Sequence, residues 1–101
     1  MPTEPLPPEE IEERLRKLPG WSVEDGKLTR TYRLRKHLPA AAMAVHVAAI
    51  QEELNHHSDL TLGYNTLTLA VHTHSAGGAL THLDFDLATR VEAVAGAHDA
   101  Q

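Results

Sequence analysis

Trp21-Ser22-Val23-Glu24-Asp25-Gly26-Lys27-Leu28-Thr29-Arg30-Thr31-Tyr32-Arg33-Leu34 is the stretch from which the fold is read. Trp21 and Val23 alternate with polar residues, and Leu28, Tyr32 and Leu34 keep the same period of two beyond Asp25-Gly26. A half-buried strand produces that alternation because successive side chains point to opposite faces. Asp-Gly is a favoured pair for the two-residue type I′ turn, whose twist matches the strands it joins. The stretch predicts an antiparallel hairpin, with Arg30 breaking the parity of the apolar residues.

Upstream, Ile11, Leu15 and Leu18 fall at i, i+4 and i+7, with acids before them and Arg14, Arg16 and Lys17 near the end. This predicts a helix over 9–18, stopped by Pro19-Gly20. The four prolines within 1–8 predict an extended, flexible lead-in. Downstream, Pro39 suits the first turn of a long helix reaching about Asn55, with Met43, Val47, Ile50 and Leu54 as its stripe. Gly63 marks a turn, preceded by a short strand over 60–62 and followed by a strand from Tyr64. In that second strand Leu67, Leu69 and Val71 share one face and Thr66, Thr68 and His72 the other. Residues 75–78 read as a flexible loop. A last helix starts near Thr81, where Thr81-x-x-Asp84 resembles a capping box, and carries Leu83, Leu87, Val91 and Val94 as far as Gly96.

The expected fold is α+β: a four-stranded antiparallel sheet with three helices packed on one face, in the order α-β-β-α-β-β-α. A chain of 101 residues forms a single domain over 1–101, with flexible ends at 1–8 and 97–101. Such a domain buries roughly 65% of its unfolded surface, enough for one modest core.

Composition removes several function classes. The chain has no cysteine, which excludes disulfides, thiol nucleophiles, zinc ribbons and Cys-ligated clusters, and which fits a reducing cytosol. Nine basic against 14 acidic residues give a net charge of -5, so a nucleic-acid partner is not expected. The longest apolar run, 38–50, is interrupted by His46 and too short to span a bilayer, so no membrane association is expected. Residues 1–13 carry acids and prolines rather than the pattern of a signal peptide, and a cytoplasmic location is expected. Neither G-x-S-x-G nor a Gly-rich loop after a strand is present. What the composition offers for chemistry is imidazole: eight histidines, twice the number of aromatic residues.

The densest polar group is Glu52-Glu53-Leu54-Asn55-His56-His57-Ser58, at the end of the long helix. His74 ends the strong strand and Asp84 opens the last helix. All three places are element ends, where a rigid scaffold hands over to a loop and functional groups gather. Each residue has a plainer reading too. His56 and His57 suit a helix C-terminus as cations. Glu52 suits an i,i+4 pairing with His56. Asp84 suits a cap, and His74 suits an exposed strand end. His37, His46, His82 and His98 have no constellation around them. A metal site is not expected: side chains of adjacent helical histidines point about 100° apart, and His72 with His74 lacks a completing ligand spacing.

Taken jointly, Glu52-x-x-x-His56-His57-Ser58, Tyr64-Asn65, Thr73-His74 and Asp84-x-Asp86-Leu87-Ala88 resemble pterin-4a-carbinolamine dehydratase. Leu15-x-x-Leu18-Pro19-Gly20-Trp21 and Tyr32-x-Leu34 resemble the N-terminal half of that family, so the likeness runs over about 9–96. Ser58 stands where proline is common, Leu60 where the family often has Trp, and the loop between His74 and Asp84 is one residue longer than in animal members. The resemblance implies a hydro-lyase acting on 4a-hydroxytetrahydropterin, in the recycling of tetrahydrobiopterin, without cofactor or metal. It implies His56, His57, His74 and Asp84 as catalytic, and Glu52, His56, His57, Ser58, Thr73, His74, Ser75 and Ala76 as substrate-binding. It further implies a homodimer or homotetramer and a functional link to an aromatic amino acid hydroxylase. The alternative on the same fold is a non-catalytic pterin- or protein-binding module, as a dimerisation cofactor or in a molybdopterin-related role.

Overall fold

The structure, a computed structural model, describes residues 4–101. The hairpin is formed by β1 (Ser22–Glu24) and β2 (Lys27–Arg33), which pair antiparallel with Val23 opposite Leu28. Asp25 (φ 52°) and Gly26 (φ 75°) both occupy the left-handed region, as a type I′ turn demands. β3 (Asp59–Leu62) and β4 (Thr66–Val71) form the second hairpin, and β4 inserts beside β2 to give the antiparallel order β1-β2-β4-β3. The fold is the expected α+β one, with three helices and four strands in the expected sequence.

Helix α1 (Pro8–Leu15) begins with proline at its first position and Glu9 and Glu10 in its first turn, an arrangement that suits the helix dipole. It stops three residues short of the 9–18 prediction because Lys17 and Leu18 turn back on Arg14 and Leu15, three residues earlier rather than four. Helix α2 (His37–Leu54) accommodates Pro39 in its first turn, where no intrahelical N–H bond is lost. Helix α3 (His82–Ala95) opens on a complete capping box: the Thr81 side chain and the Asp84 side chain each accept from the other's end of the turn.

Leu28 and Tyr32 of β2 and Leu67, Leu69 and Val71 of β4 form one wall of the core, packed with Met43, Val47 and Ile50 of α2 and Leu87 and Val91 of α3. The opposite face of the sheet is polar, and Thr31 and Thr68 hydrogen-bond across it at 2.9 Å. Arg30 breaks the apolar parity for a reason. Its guanidinium lies 4.4 Å from the Tyr32 ring centre, and its Nε donates to Glu92 Oε1 at 3.3 Å. The same oxygen accepts from Trp21 Nε1 at 2.9 Å and from the Tyr32 hydroxyl. Burial, reinforced by the Glu92 carboxylate, pushes the Tyr32 phenol well above its ordinary pKa.

The expected flexible ends correspond to defined contacts where they are described; 1–3 lie outside the described residues. Leu6 N–H donates to Leu80 O at 2.9 Å, and Gln101 exchanges two backbone hydrogen bonds with Arg33. His46, whose place beside Met43 and Ile50 predicts a satisfied, partly buried residue, is half-buried, and its Nδ1 is 2.8 Å from Nε2 of His98. His37 places Nδ1 2.7 Å from Tyr64 O.

Candidate active site

Helix α2 ends in a way that decides the site. Asn55 adopts φ 51°, ψ 42°, its N–H turning back to Glu52 O at 3.2 Å and the His56 N–H to Gln51 O at 3.0 Å. This pair of bonds is the Schellman stop, which satisfies the last carbonyls and reverses the chain. His56 and His57 are therefore off the helix, and the helical 100° spacing does not govern them. Gln51, a buried polar residue, secures the exit from inside: its Oε1 accepts from Ser58 N at 3.0 Å and from the Ser58 hydroxyl.

His56 turns inward. Its Nε2 lies 2.7 Å from Oδ1 of Asp84, which has no exposed surface. A carboxylate only accepts, so every neighbour of Asp84 must donate. The backbone N–H of Thr81 and the hydroxyl of Thr73 both donate to Oδ2 at 2.8 Å. Thr73, its hydrogen spent, accepts from the Thr81 hydroxyl at 2.6 Å, and Thr81 Oγ1 accepts in turn from Leu83 N at 3.2 Å. Every hydrogen in the network has a place if Nε2 of His56 carries one. That assigns the tautomer and leaves Nδ1 of His56 as the ring nitrogen that can accept a proton. Three donors around one buried carboxylate also offset the cost of taking its charge out of water.

His57 turns outward. It pairs with Glu52 through Nε2 and Oε2 at 2.7 Å, so the i,i+4 partnership of Glu52 with His56 expected from the helix is corrected: the Schellman turn brings the next residue to Glu52 instead. His74 does not end the strand either; β4 stops at Val71, Thr73 bridges to Ala79, and residues His74–Ala76 form a single 3-10 turn closed by left-handed Gly77.

These segments enclose a cleft of about 310 Å³. The end of α2 contributes Asn55, His56 and His57, and the segment after β4 contributes His72, Thr73, His74 and Ser75. Asp84 stands behind His56, and Glu52 reaches the site through His57. Ser58 faces Gln51 and Ala76 sits in the 3-10 turn; neither lines the cleft. Sequence reasoning passed over Asn55, Gln51 and His72 as site residues. An asparagine before two histidines at a helix end was the available signal for the first; Gln51, one among many polar helix residues, gave none. The cleft lies at the small end of ligand pockets, roughly 300–1,000 Å³, a size suited to a bicyclic molecule. Among the described residues no cluster of three or more metal-ligating side chains occurs.

The arrangement is a buried carboxylate fixing one imidazole, with further imidazoles at the mouth. It can move protons between two positions on a small flat ligand, without a covalent nucleophile.

Comparison with known proteins points the same way. A protein of Streptomyces coelicolor, named as a candidate pterin-4-alpha-carbinolamine dehydratase, is 67% identical over 100 residues, covering 99% of each chain. The crystal structure of a Brucella melitensis protein described as a transcriptional coactivator/pterin dehydratase superposes with a TM-score of 0.84 at 32% identity, over 91% of this chain and 99% of that one. A pterin dehydratase-like protein identified as a RuBisCO assembly factor in the alpha-carboxysome shares the fold, with a TM-score of 0.61 at 19% identity over 75% of this chain and 87% of its own. The profile of the pterin 4 alpha carbinolamine dehydratases matches residues 4–94. With four of its histidines at one cleft, Asp84 behind one of them, and this likeness along nearly its whole length, the chain belongs to the pterin 4 alpha carbinolamine dehydratase family.

Proposed function

We propose that the chain is a hydro-lyase that converts 4a-hydroxytetrahydropterin to quinonoid dihydropterin by histidine general acid–base catalysis. The observation that carries this reading is the His56–Asp84 pair at the cleft, 2.7 Å apart and buried. The reaction breaks the C4a–O bond and the N5–H bond and forms the C4a–N5 double bond. One group protonates the departing hydroxyl, which leaves as water; another takes the proton from N5. No net proton is consumed, so two groups that titrate near neutrality suffice, and imidazole is such a group.

In this reading His56 is the leading acid–base group and His74 the second. Asp84 holds the His56 tautomer, His57 binds and polarises the pterin, and Thr73 and Ser75 meet its polar edge. The test is stopped-flow dehydration of synthetic carbinolamine by purified protein without added metal. His56→Ala and His74→Ala each lose about 10²–10⁴-fold in kcat, the usual worth of a positioned acid–base group. Wild-type rates in both variants end the assignment. The physiological setting in this reading is cytoplasmic tetrahydrobiopterin recycling after an aromatic amino acid hydroxylase.

We also propose a homodimer or homotetramer. Leu38 and Val45 on the outer side of α2 are 77% and 71% exposed, and among the described residues β3 has a strand partner on one side alone. Apolar helix surface and an open sheet edge both favour association. Light scattering after size exclusion reads the mass directly, and a strict monomer at micromolar concentration contradicts it. The second reading, a regulatory binding module, draws on the Brucella structure, whose description joins coactivator and dehydratase. Pterin binding without turnover by the wild type would favour that module over the enzyme.

A further inference from the structure

Five polar residues are buried among the described residues: Gln51, His56, Thr73, Thr81 and Asp84. Four of them form the network around the Asp84 carboxylate. Gln51 stands apart. It is 4% exposed and belongs to the side of α2 that buries Ala40, Met43, Val47 and Ile50. An amide taken out of water is unfavourable unless new hydrogen bonds replace the old ones. Where those bonds go shows what the residue does.

They go to one short stretch of chain. The Gln51 carbonyl accepts from the His56 N–H at 3.0 Å. Its side-chain Oε1 accepts from the Ser58 N–H at 3.0 Å and from the Ser58 hydroxyl. The Cα atoms that carry both imidazoles lie between those two backbone nitrogens, so a single residue holds the His56–His57 pair at each end. Residues 56–58 belong to neither α2 nor β3, and no helical or sheet ladder holds them. Beyond this grip the two rings are secured unequally. His56 has the buried Asp84 behind it, whereas His57 pairs with Glu52 in a contact whose two members are both more than half exposed. An exposed pair of this kind holds a side chain weakly.

We infer that Gln51 is a positioning residue for the His56–His57 pair, and above all for His57. It does not line the cleft; it acts by clamping both ends of the stretch that carries the two rings. The clamp is a property of the fold, and its effect on turnover rests on the dehydratase reading of the cleft.

Hydrogen exchange and kinetics test the two parts separately. In the wild type the Ser58 amide exchanges at least about 100-fold more slowly than in an open chain, although it lies outside helix and sheet. Gln51→Met keeps the length of the side chain and removes the acceptor. Gln51→Glu keeps an acceptor in the same place, with some loss of stability from the buried carboxylate. Urea unfolding gives the stability of each, and exchange and rates are read well below the lower midpoint. Ser58 protection falls about tenfold in Gln51→Met and is retained in Gln51→Glu. KM for the carbinolamine rises about three- to tenfold in Gln51→Met, while Gln51→Glu keeps the wild-type KM. In both variants kcat stays within about twofold, because Asp84 still holds His56. A purely structural role would rank the variants by their midpoints instead of by their acceptors. A wild-type Ser58 amide that exchanges freely overturns the inference, as does a KM that is unchanged in Gln51→Met or raised equally in both variants. A wild type with a protected Ser58 amide and no turnover of the carbinolamine sinks the dehydratase reading and leaves the clamp standing.

Discussion

Glu52 Oε2 lies 2.7 Å from His57 Nε2 although five residues separate them, and an unbroken helix would set two such side chains about 140° apart. The left-handed Asn55 closes the angle by reversing the chain between them. One backbone torsion thereby sends His57 to the mouth of the cleft and His56 to the buried carboxylate behind it.

Replacing Glu52 with glutamine tests what this rim contact contributes. Both side chains are more than half exposed, at 78% and 52%, so stability changes by less than about 1 kcal/mol. Loss of the carboxylate frees the His57 ring, and KM for the carbinolamine rises about two- to tenfold, the range of one hydrogen bond. Steady-state kinetics beside urea unfolding separates the two effects. A large stability loss would show that the contact serves the fold instead.

Asn55 is open to a sharper comparison. A left-handed conformation costs a residue with a Cβ about 1–2 kcal/mol, which asparagine partly escapes and glycine avoids. Asn55→Ala loses about 1 kcal/mol in urea unfolding, and Asn55→Gly stays within a few tenths of the wild type. Equal stabilities in the two variants would mean that the reversal at the end of α2 is not under conformational strain.

Asp84→Asn replaces one acceptor with an amide. If the remaining oxygen still takes the Thr81 and Thr73 hydrogens, the new NH₂ faces Nε2 of His56, which must then give up its hydrogen and shift it to Nδ1. The nitrogen left to accept a proton is now the wrong one, and kcat falls about 10²-fold or more. The buried network also loses a charge-assisted bond, at a cost of about 1–3 kcal/mol. Rates measured well below the unfolding midpoint, with circular dichroism as the folding control, distinguish the two. A folded variant with unchanged kcat refutes the role of Asp84 in setting the tautomer.

Tyr32 gives the fold a dependence on alkaline pH. Its pKa is raised in the folded state, first by burial and then by Glu92. The folded protein therefore keeps the phenol proton where the unfolded chain has lost it. The sign follows: the contribution is intact below the unfolded tyrosine value of about 10 and is lost as pH climbs beyond it, at up to about 1.4 kcal/mol per pH unit. Tyr32→Phe is less stable at pH 7 by about 1 kcal/mol, for the lost hydrogen bond, and has a shallower alkaline slope. Urea unfolding at pH 8, 9.5 and 11 reads both, and parallel slopes would discount the assignment.

The elements were legible in the sequence because each announces itself locally. Asp25-Gly26 specified a hairpin turn through the torsions it tolerates, and Met43, Val47 and Ile50 marked the buried side of α2 through helical spacing. Thr81 and Asp84 announced the start of α3, and the capping box is there. What stayed hidden depends on distance through space. Nothing near Glu92 in the chain shows that Trp21, Arg30 and Tyr32 converge on one of its oxygens. The partnership of His46 with His98 spans 52 residues and leaves no local pattern. Glu52 misled because helix spacing is reliable only while the helix lasts. Asp84 was read from spacing as a cap and through the resemblance as a site residue, and in the structure one carboxylate both caps α3 and holds His56.

That shared carboxylate ties the imidazole's alignment to the integrity of a single helical turn. Helix ends are the first parts of a protein to open, well before the sheet gives way. Warming or mild urea that frays the first turn of α3 will therefore silence turnover while circular dichroism still reports an intact molecule. On the dehydratase reading, the rate then reports the order of that one turn.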